Sequence, residues 1–280
     1  MHFPAGKPAF LHERRNTMPR VFYCTCVFGI LVSGCAILPV TEGKKDFNEG
    51  AAFFKKGDCE KASMKFADAL RKEPDLREGY IYLAECSLQK GDRQAALQSA
   101  QQAMDAAAKE AGISSRLKTV LTAGGQSAFD KKEYDLAVRF FKEAVKLEQN
   151  DSNLRLWLGK ALLERGNQGD MKAAIIEFKT AMNASASPAQ DLALIRSALF
   201  ARAEQYSAQG DRYTQSRCYL AYTENFNPND IEACIALGKL FSKVGNPVGA
   251  LYYAQKAYAL DPKNKAAIEL LGELNNPIHP

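Results

Sequence analysis

"IEACIALGKLFSKVGNPVGALYYAQKAYALDPK" occupies residues 231–263. With Ile231 as position 1, Leu237 and Gly238 fall at positions 7 and 8, and Gly245 at 15. Ala250, Ala257 and Pro262 follow at 20, 27 and 32. Each type has a cause. Small residues at 8, 20 and 27 let two helices approach closely. Glycine at 15 ends the first helix by adopting a left-handed backbone cheaply. Proline at 32 cannot continue the second helix. The stretch predicts a helix, a tight turn and a second helix packed back on the first.

The same ruler fits starts at residues 43, 77, 118, 152, 197 and 231, with intervals of 34, 41, 34, 45 and 34. Position 8 reads Gly50, Ala84, Gly125, Gly159, Glu204 and Gly238. Position 20 reads Ala62, Ala96, Ala137, Ala174, Ser216 and Ala250, and position 27 reads Ala69, Ala103, Ala144, Ala181, Thr223 and Ala257. The fourth unit needs three extra residues near "NQG" at 167–169, and the fifth is degenerate. Phe66, Phe141 and Phe178 stand at position 24. One such unit cannot bury both of its faces, so the units must stack.

A 34-residue helix–turn–helix period with these residues resembles the tetratricopeptide repeat. The resemblance implies an all-α, right-handed solenoid. Its units are expected near 43–76, 77–110, 118–151, 152–188, 197–230 and 231–264. "KAAIELLGEL" from Lys265 starts one more first helix and reads as a capping helix over 265–275, with a tail at 276–280. "AKEAGISSR" at 108–116 and "PAQDLALIR" at 188–196 are insertions that lengthen a helix or bend the stack.

The amino-terminal segment sets the compartment. Residues 1–34 hold Lys7, Arg14, Arg15 and Arg20 against Glu13, and residues 21–32 are an uncharged, mostly apolar run. Basic residues, an apolar run and a small-residue cleavage site make a secretory signal. Met18 is an alternative start. Val32-Ser33-Gly34-Cys35 resembles the lipobox of bacterial lipoproteins. That resemblance implies cleavage before Cys35, lipid on its thiol, and residues 35–42 as a lipidated linker. Ala36, which is not aspartate, then implies the outer membrane, facing the periplasm. The alternative is an uncleaved anchor over Val21–Val40, which is long enough to span a bilayer. Both export the array.

The net charge of +5 does not make a nucleic-acid binder, because without residues 1–34 the balance is 33 basic to 31 acidic, about +2. No dense basic face with interleaved aromatics remains to displace counterions from phosphates. Past the signal segment one histidine is left, His279. A histidine triad, acid–base pair or zinc site is excluded from the array. No phosphate loop, G-x-S-x-G or H-E-x-x-H occurs. The expectation is a non-enzyme without cofactor, metal or small-molecule substrate. Cys59 and Cys86 fall at the same level of adjacent helices, so a disulfide between them is allowed.

Family knowledge places ligand-facing residues of stacked repeats on the concave side, at positions 2, 5, 9, 12 and 13 of the first helices. Here these include Phe47, Phe54, Ile81, Glu85, Leu88, Gln126, Phe129, Leu156, Lys160 and Leu163. They are apolar anchors with scattered polar groups, as a groove for a protein or peptide segment requires. The acidic-tail clamp of some tetratricopeptide co-chaperones is not matched, since its positions hold Phe47, Ala51, Tyr82, Thr119 and Ala123. Lipobox and six units together resemble the lipoproteins that pilot type IV pilus secretins. The expected function is an envelope-anchored interaction scaffold. An adaptor for cell-wall or outer-membrane-protein assembly is the rival; a carboxylate-based hydrolase and a cytoplasmic repeat scaffold are the remaining alternatives.

Overall fold

The computed structural model describes residues 40–106 and 111–275. Cys35 and the expected signal segment lie outside them, as do residues 107–110 and 276–280. Among the described residues there are thirteen helices and no strand. They come in pairs: α1 (Glu42–Lys55) with α2 (Cys59–Lys72), α3 (Arg77–Gln89) with α4 (Arg93–Ala106), and α5 (Ala111–Asp130) with α6 (Tyr134–Leu147). Then follow α7 (Ser152–Arg165) with α8 (Asp170–Ala184), α9 (Pro188–Ala208) with α10 (Arg212–Asn225), and α11 (Ile231–Lys243) with α12 (Pro247–Leu260). The last helix, α13 (Lys265–Asn275), has no described second helix beside it. Each second helix packs against its own first helix and against the first helix of the next unit.

The turns and starts follow from local chemistry. The turn glycines Gly57, Gly91, Gly166, Gly210 and Gly245 all sit at positive φ, from 70° to 79°. The third unit has no glycine there, and Lys132 takes the position at φ 61°. Aspartates open many of the helices. Asp58, Asp151, Asp211 and Asp230 each accept a hydrogen bond from the backbone N–H three residues on, which satisfies an otherwise unpartnered donor.

Inside the units, small and large residues are matched in volume. A Cβ added to Gly50, Gly125 or Gly159 would lie 2.9, 2.7 or 2.3 Å from the ring of Phe66, Phe141 or Phe178. Position 8 must be glycine in those units because position 24 is phenylalanine. In the second unit Ala84 stands at position 8 and Ala100 at position 24, and both are fully buried. Close packing requires this compensation, since interiors leave few voids.

The fifth unit differs from its expected register by one residue. Gly210 has φ 75°, and Ala203 is fully buried while Glu204 is exposed. The unit therefore runs from residue 196. Ala203 takes position 8, Gln215 position 20 and Tyr222 position 27. Glycine takes the left-handed turn at least cost, and Gly210 fixes the count. Tyr219, at position 24, donates its hydroxyl to Glu204 Oε1 at 2.8 Å.

Both insertions are helical where described. They lengthen the front of a first helix, so α5 has 20 residues and α9 has 21. Consecutive first helices touch from α1 to α9, and α11 touches α13. The backbones of α9 and α11 do not approach closely. That joint is bridged by Arg196, whose Nε donates to Asp230 Oδ2 at 2.7 Å and whose Nη2 pairs with Glu232.

Candidate functional site

The first helices of units one to three gather an aromatic and charged cluster. Phe47 meets Phe66 and Tyr82 edge-on, with ring centroids 5.5 and 5.8 Å apart. Phe54 meets Tyr82 at 5.1 Å, and Tyr82 stacks on Phe66 at 4.6 Å. The Arg116 guanidinium lies 3.8 Å over the Tyr82 ring and holds Glu85 by two hydrogen bonds, of 2.9 and 2.6 Å. An aromatic face under a cation is a favourable pair, so this patch is fixed before any partner arrives. Farther along, Phe129 contacts Trp157 at 5.6 Å, and the Lys160 ammonium sits 4.4 Å over that indole.

A cleft of about 550 Å³ opens at the amino-terminal edge of this face. Lys44, Phe47 and Asn48 of α1 form one wall. Leu76, Arg77 and Glu78 at the start of α3 form the other, with Ile113 of α5 at its end. Such a cleft combines apolar side chains with charges of both signs, which suits a peptide segment.

The ten expected surface residues divide. Phe47, Phe54, Glu85, Leu88, Gln126, Phe129 and Lys160 are half-buried, with part of each side chain accessible. Ile81, Leu156 and Leu163 are corrected to core, being only 0, 4 and 3 % exposed. Each is covered by the neighbouring helices of the stack, because in a two-layer solenoid a first helix buries more than one stripe. Phe47 is also more embedded than its place in the first unit suggests, since Phe66 and Tyr82 enclose it. Tyr82 and Arg116 carry much of the patch; the counting marks Tyr82 only as an unmatched clamp position and does not mark Arg116. Arg116 lies in an insertion, outside the repeat register, so the counting gives it no position.

Cys59 and Cys86 are neighbours, as expected, but as free buried thiols and not a disulfide. The Cys59 thiol donates to Gln89 Oε1 at 2.8 Å. Burial, and then contact with Cys59, pushes the Cys86 thiol up from its ordinary range. Cys218 and Cys234 are free and buried too.

Residues 47–111 and 122–189 match the family model of the tetratricopeptide repeat. Those spans are tetratricopeptide repeats, and the paired helices on either side of them continue the same all-α solenoid. No curated protein matches it. Similar solved structures include YrrB, a TPR protein with an unusual peptide-binding site: 16% identity, 81% of this chain and 91% of that one covered, TM-score 0.35. PilW, a widely conserved type IV pilus biogenesis factor, shares 15%, covers 82% and 98%, and scores 0.33. PilF of Pseudomonas aeruginosa shares 15%, covers 82% and 97%, and scores 0.34. Nothing about partner or role follows from likeness at this level.

Proposed function

We propose that this chain is an exported lipoprotein scaffold that grips a segment of a partner protein on its first-helix face. The observation that carries the gripping surface is the 550 Å³ cleft at Phe47, continuous with the preset Tyr82–Arg116–Glu85 patch. Export and lipidation at Cys35 rest on the lipobox-like Val32-Ser33-Gly34-Cys35 at the end of an apolar run. Outer-membrane display toward the periplasm rests on Ala36. The finer role, help in assembling a pilus or secretin complex, rests on a lipobox followed by six units. The rival role is in cell-wall or outer-membrane-protein assembly.

Two measurements test this. Cys35→Ser should abolish labelling by a palmitate analogue, and undiminished labelling overturns the lipoprotein reading. A photoreactive residue at the exposed Asn48 should cross-link to one envelope protein in cells. Lys44→Glu and Arg77→Glu should weaken that product. Its identity separates pilus or secretin assembly from the rival. Equal yield in both variants would show that the cleft is not the gripping surface.

A further inference from the structure

Where α9 and α11 part, a cavity of about 360 Å³ opens between units five and six. Its cations are Arg212 at the start of α10 and Lys239 and Lys243 on α11. All three are exposed and have no ion pair among the described residues. Glu204 of α9 is the acidic residue of the lining, and its Oε1 already accepts the Tyr219 hydroxyl at 2.8 Å. Gln215 of α10 is the group that points to a ligand. It stands at position 20, where Ala62, Ala96, Ala137, Ala174 and Ala250 are each fully buried in the other units. Gln215 is only 8 % exposed and lines the cavity. Its side-chain amide has no hydrogen-bond partner among the described residues. A buried amide without a partner is unfavourable, and alanine meets the packing need at this position in five units. The amide is therefore free to serve a ligand in the cavity.

We propose that this cavity binds an acidic segment of a partner protein through its carboxylates. Three cations against one carboxylate leave the lining net positive, which complements such a segment. Lys239 and Lys243 are four residues apart on α11, about 6 Å along the helix axis. Alternate side chains of an extended chain are about 6.6 Å apart. Two acidic side chains with one residue between them therefore meet the two ammonium groups, and charge-assisted hydrogen bonds of this kind are strong. The Gln215 amide donates to the inner carboxylate. Arg212 and Gln215 belong to a second helix, so this set is not the first-helix clamp whose positions the sequence leaves unmatched. The inference names the chemistry of a gripped segment and so rests on the scaffold reading. It concerns α9 to α11 and not the cleft at Phe47, so each site can fail alone.

The test measures fluorescence anisotropy of a peptide of alternating aspartate and glycine, capped at both ends and carrying a neutral dye, against the full-length protein. Binding should saturate, and the same peptide with asparagine for each aspartate should bind at least tenfold more weakly. Lys239→Ala, Lys243→Ala and Gln215→Ala should each weaken binding severalfold. Gln215→Ala restores the residue of the other units, so its melting temperature should equal or exceed that of the wild type, which separates lost binding from lost folding. Lys172→Ala removes the same charge from the exposed face of α8 and should bind as the wild type does. The proposal is overturned if binding does not saturate, if the asparagine peptide binds equally well, if Gln215→Ala binds normally, or if Lys172→Ala weakens binding as much as Lys243→Ala. Displacement of the peptide by an equal concentration of inorganic phosphate would make this a small-anion site and overturns the acidic-segment assignment. The Asn48 cross-link reports on the other cleft, and its failure leaves this result unchanged.

Discussion

Gly159 and Gly272 show how much one hydrogen atom is worth in two places. Both are helical glycines, and alanine normally gains about 0.5–1 kcal/mol over glycine in a helix. At Gly159 a Cβ would meet the Phe178 ring at 2.3 Å, and Phe178 is fully buried. Overpacking of this kind costs roughly 1–3 kcal/mol, so Gly159→Ala should lower the melting temperature. At Gly272 nothing lies within 4 Å of the added carbon, so Gly272→Ala should raise it slightly. Opposite signs in two thermal melts are the expected result, and equal shifts would show that the Gly–Phe match is not what holds the fourth unit. The cysteines give a second prediction at this scale. Burial pushes the Cys218 thiol up to about 11 from its ordinary value near 9. The folded state thus keeps a proton that the unfolded chain gives up. Stability is unaffected below pH 9 and falls as pH rises from about 9 to 11. Urea titrations at pH 8 and pH 10.5 should show this fall, reduced in Cys218→Ala. A thiol reagent at neutral pH should label Cys218 only after unfolding.

At the scale of the helix pair, the fifth unit is the place to test register. Ala203 is buried and Ala201, two residues earlier on α9, is exposed. Ala203→Leu should overpack the unit at roughly 1–3 kcal/mol, while Ala201→Leu should stay within about 0.5 kcal/mol. Denaturant melts of the two variants decide it, and the reverse order would move the register by a residue. Asp230 does two jobs at the next start. It accepts the Ala233 backbone N–H at 2.9 Å, capping α11, and it holds Arg196. Losing a cap costs about 1 kcal/mol, and the loss of one of the two carboxylates that hold Arg196 adds to that. Asp230→Ala should therefore destabilise more than Asp230→Asn, which keeps a capping oxygen.

At the scale of the whole array, stability is a sum of unit terms and neighbour terms. The neighbour term between units five and six is the unusual one, because α9 and α11 share no close backbone contact. Their joint depends on α10 against α11 and on Arg196, which also lies 4.0 Å over the Phe200 ring. Arg196→Ala should uncouple the last unit from the rest. The single tryptophan, Trp157, reports on unit four. Its fluorescence and the helical circular dichroism should melt together in the wild type and separate in Arg196→Ala. Coincident transitions in the variant would mean that the apolar contacts alone carry the coupling.

The period, the paired helices and the small positions at Gly50, Gly159, Ala250 and Ala257 were legible in the linear sequence. They depend on local rules: a glycine turn, a helix stop, and a volume match within one unit. The fifth register was not, because Glu204, Ser216 and Thr223 are possible small positions until the left-handed turn at Gly210 is seen in space. Nor was the division of the surface. Ile81 and Phe47 look alike as apolar residues on first helices, and only the stacking of neighbouring units buries one fully and leaves the other at a cleft. The Tyr82–Arg116–Glu85 patch joins residues 31 to 34 positions apart. Sequence alone determined what each unit is. Contacts between units, which no single unit encodes, decided which side chains are left for a partner.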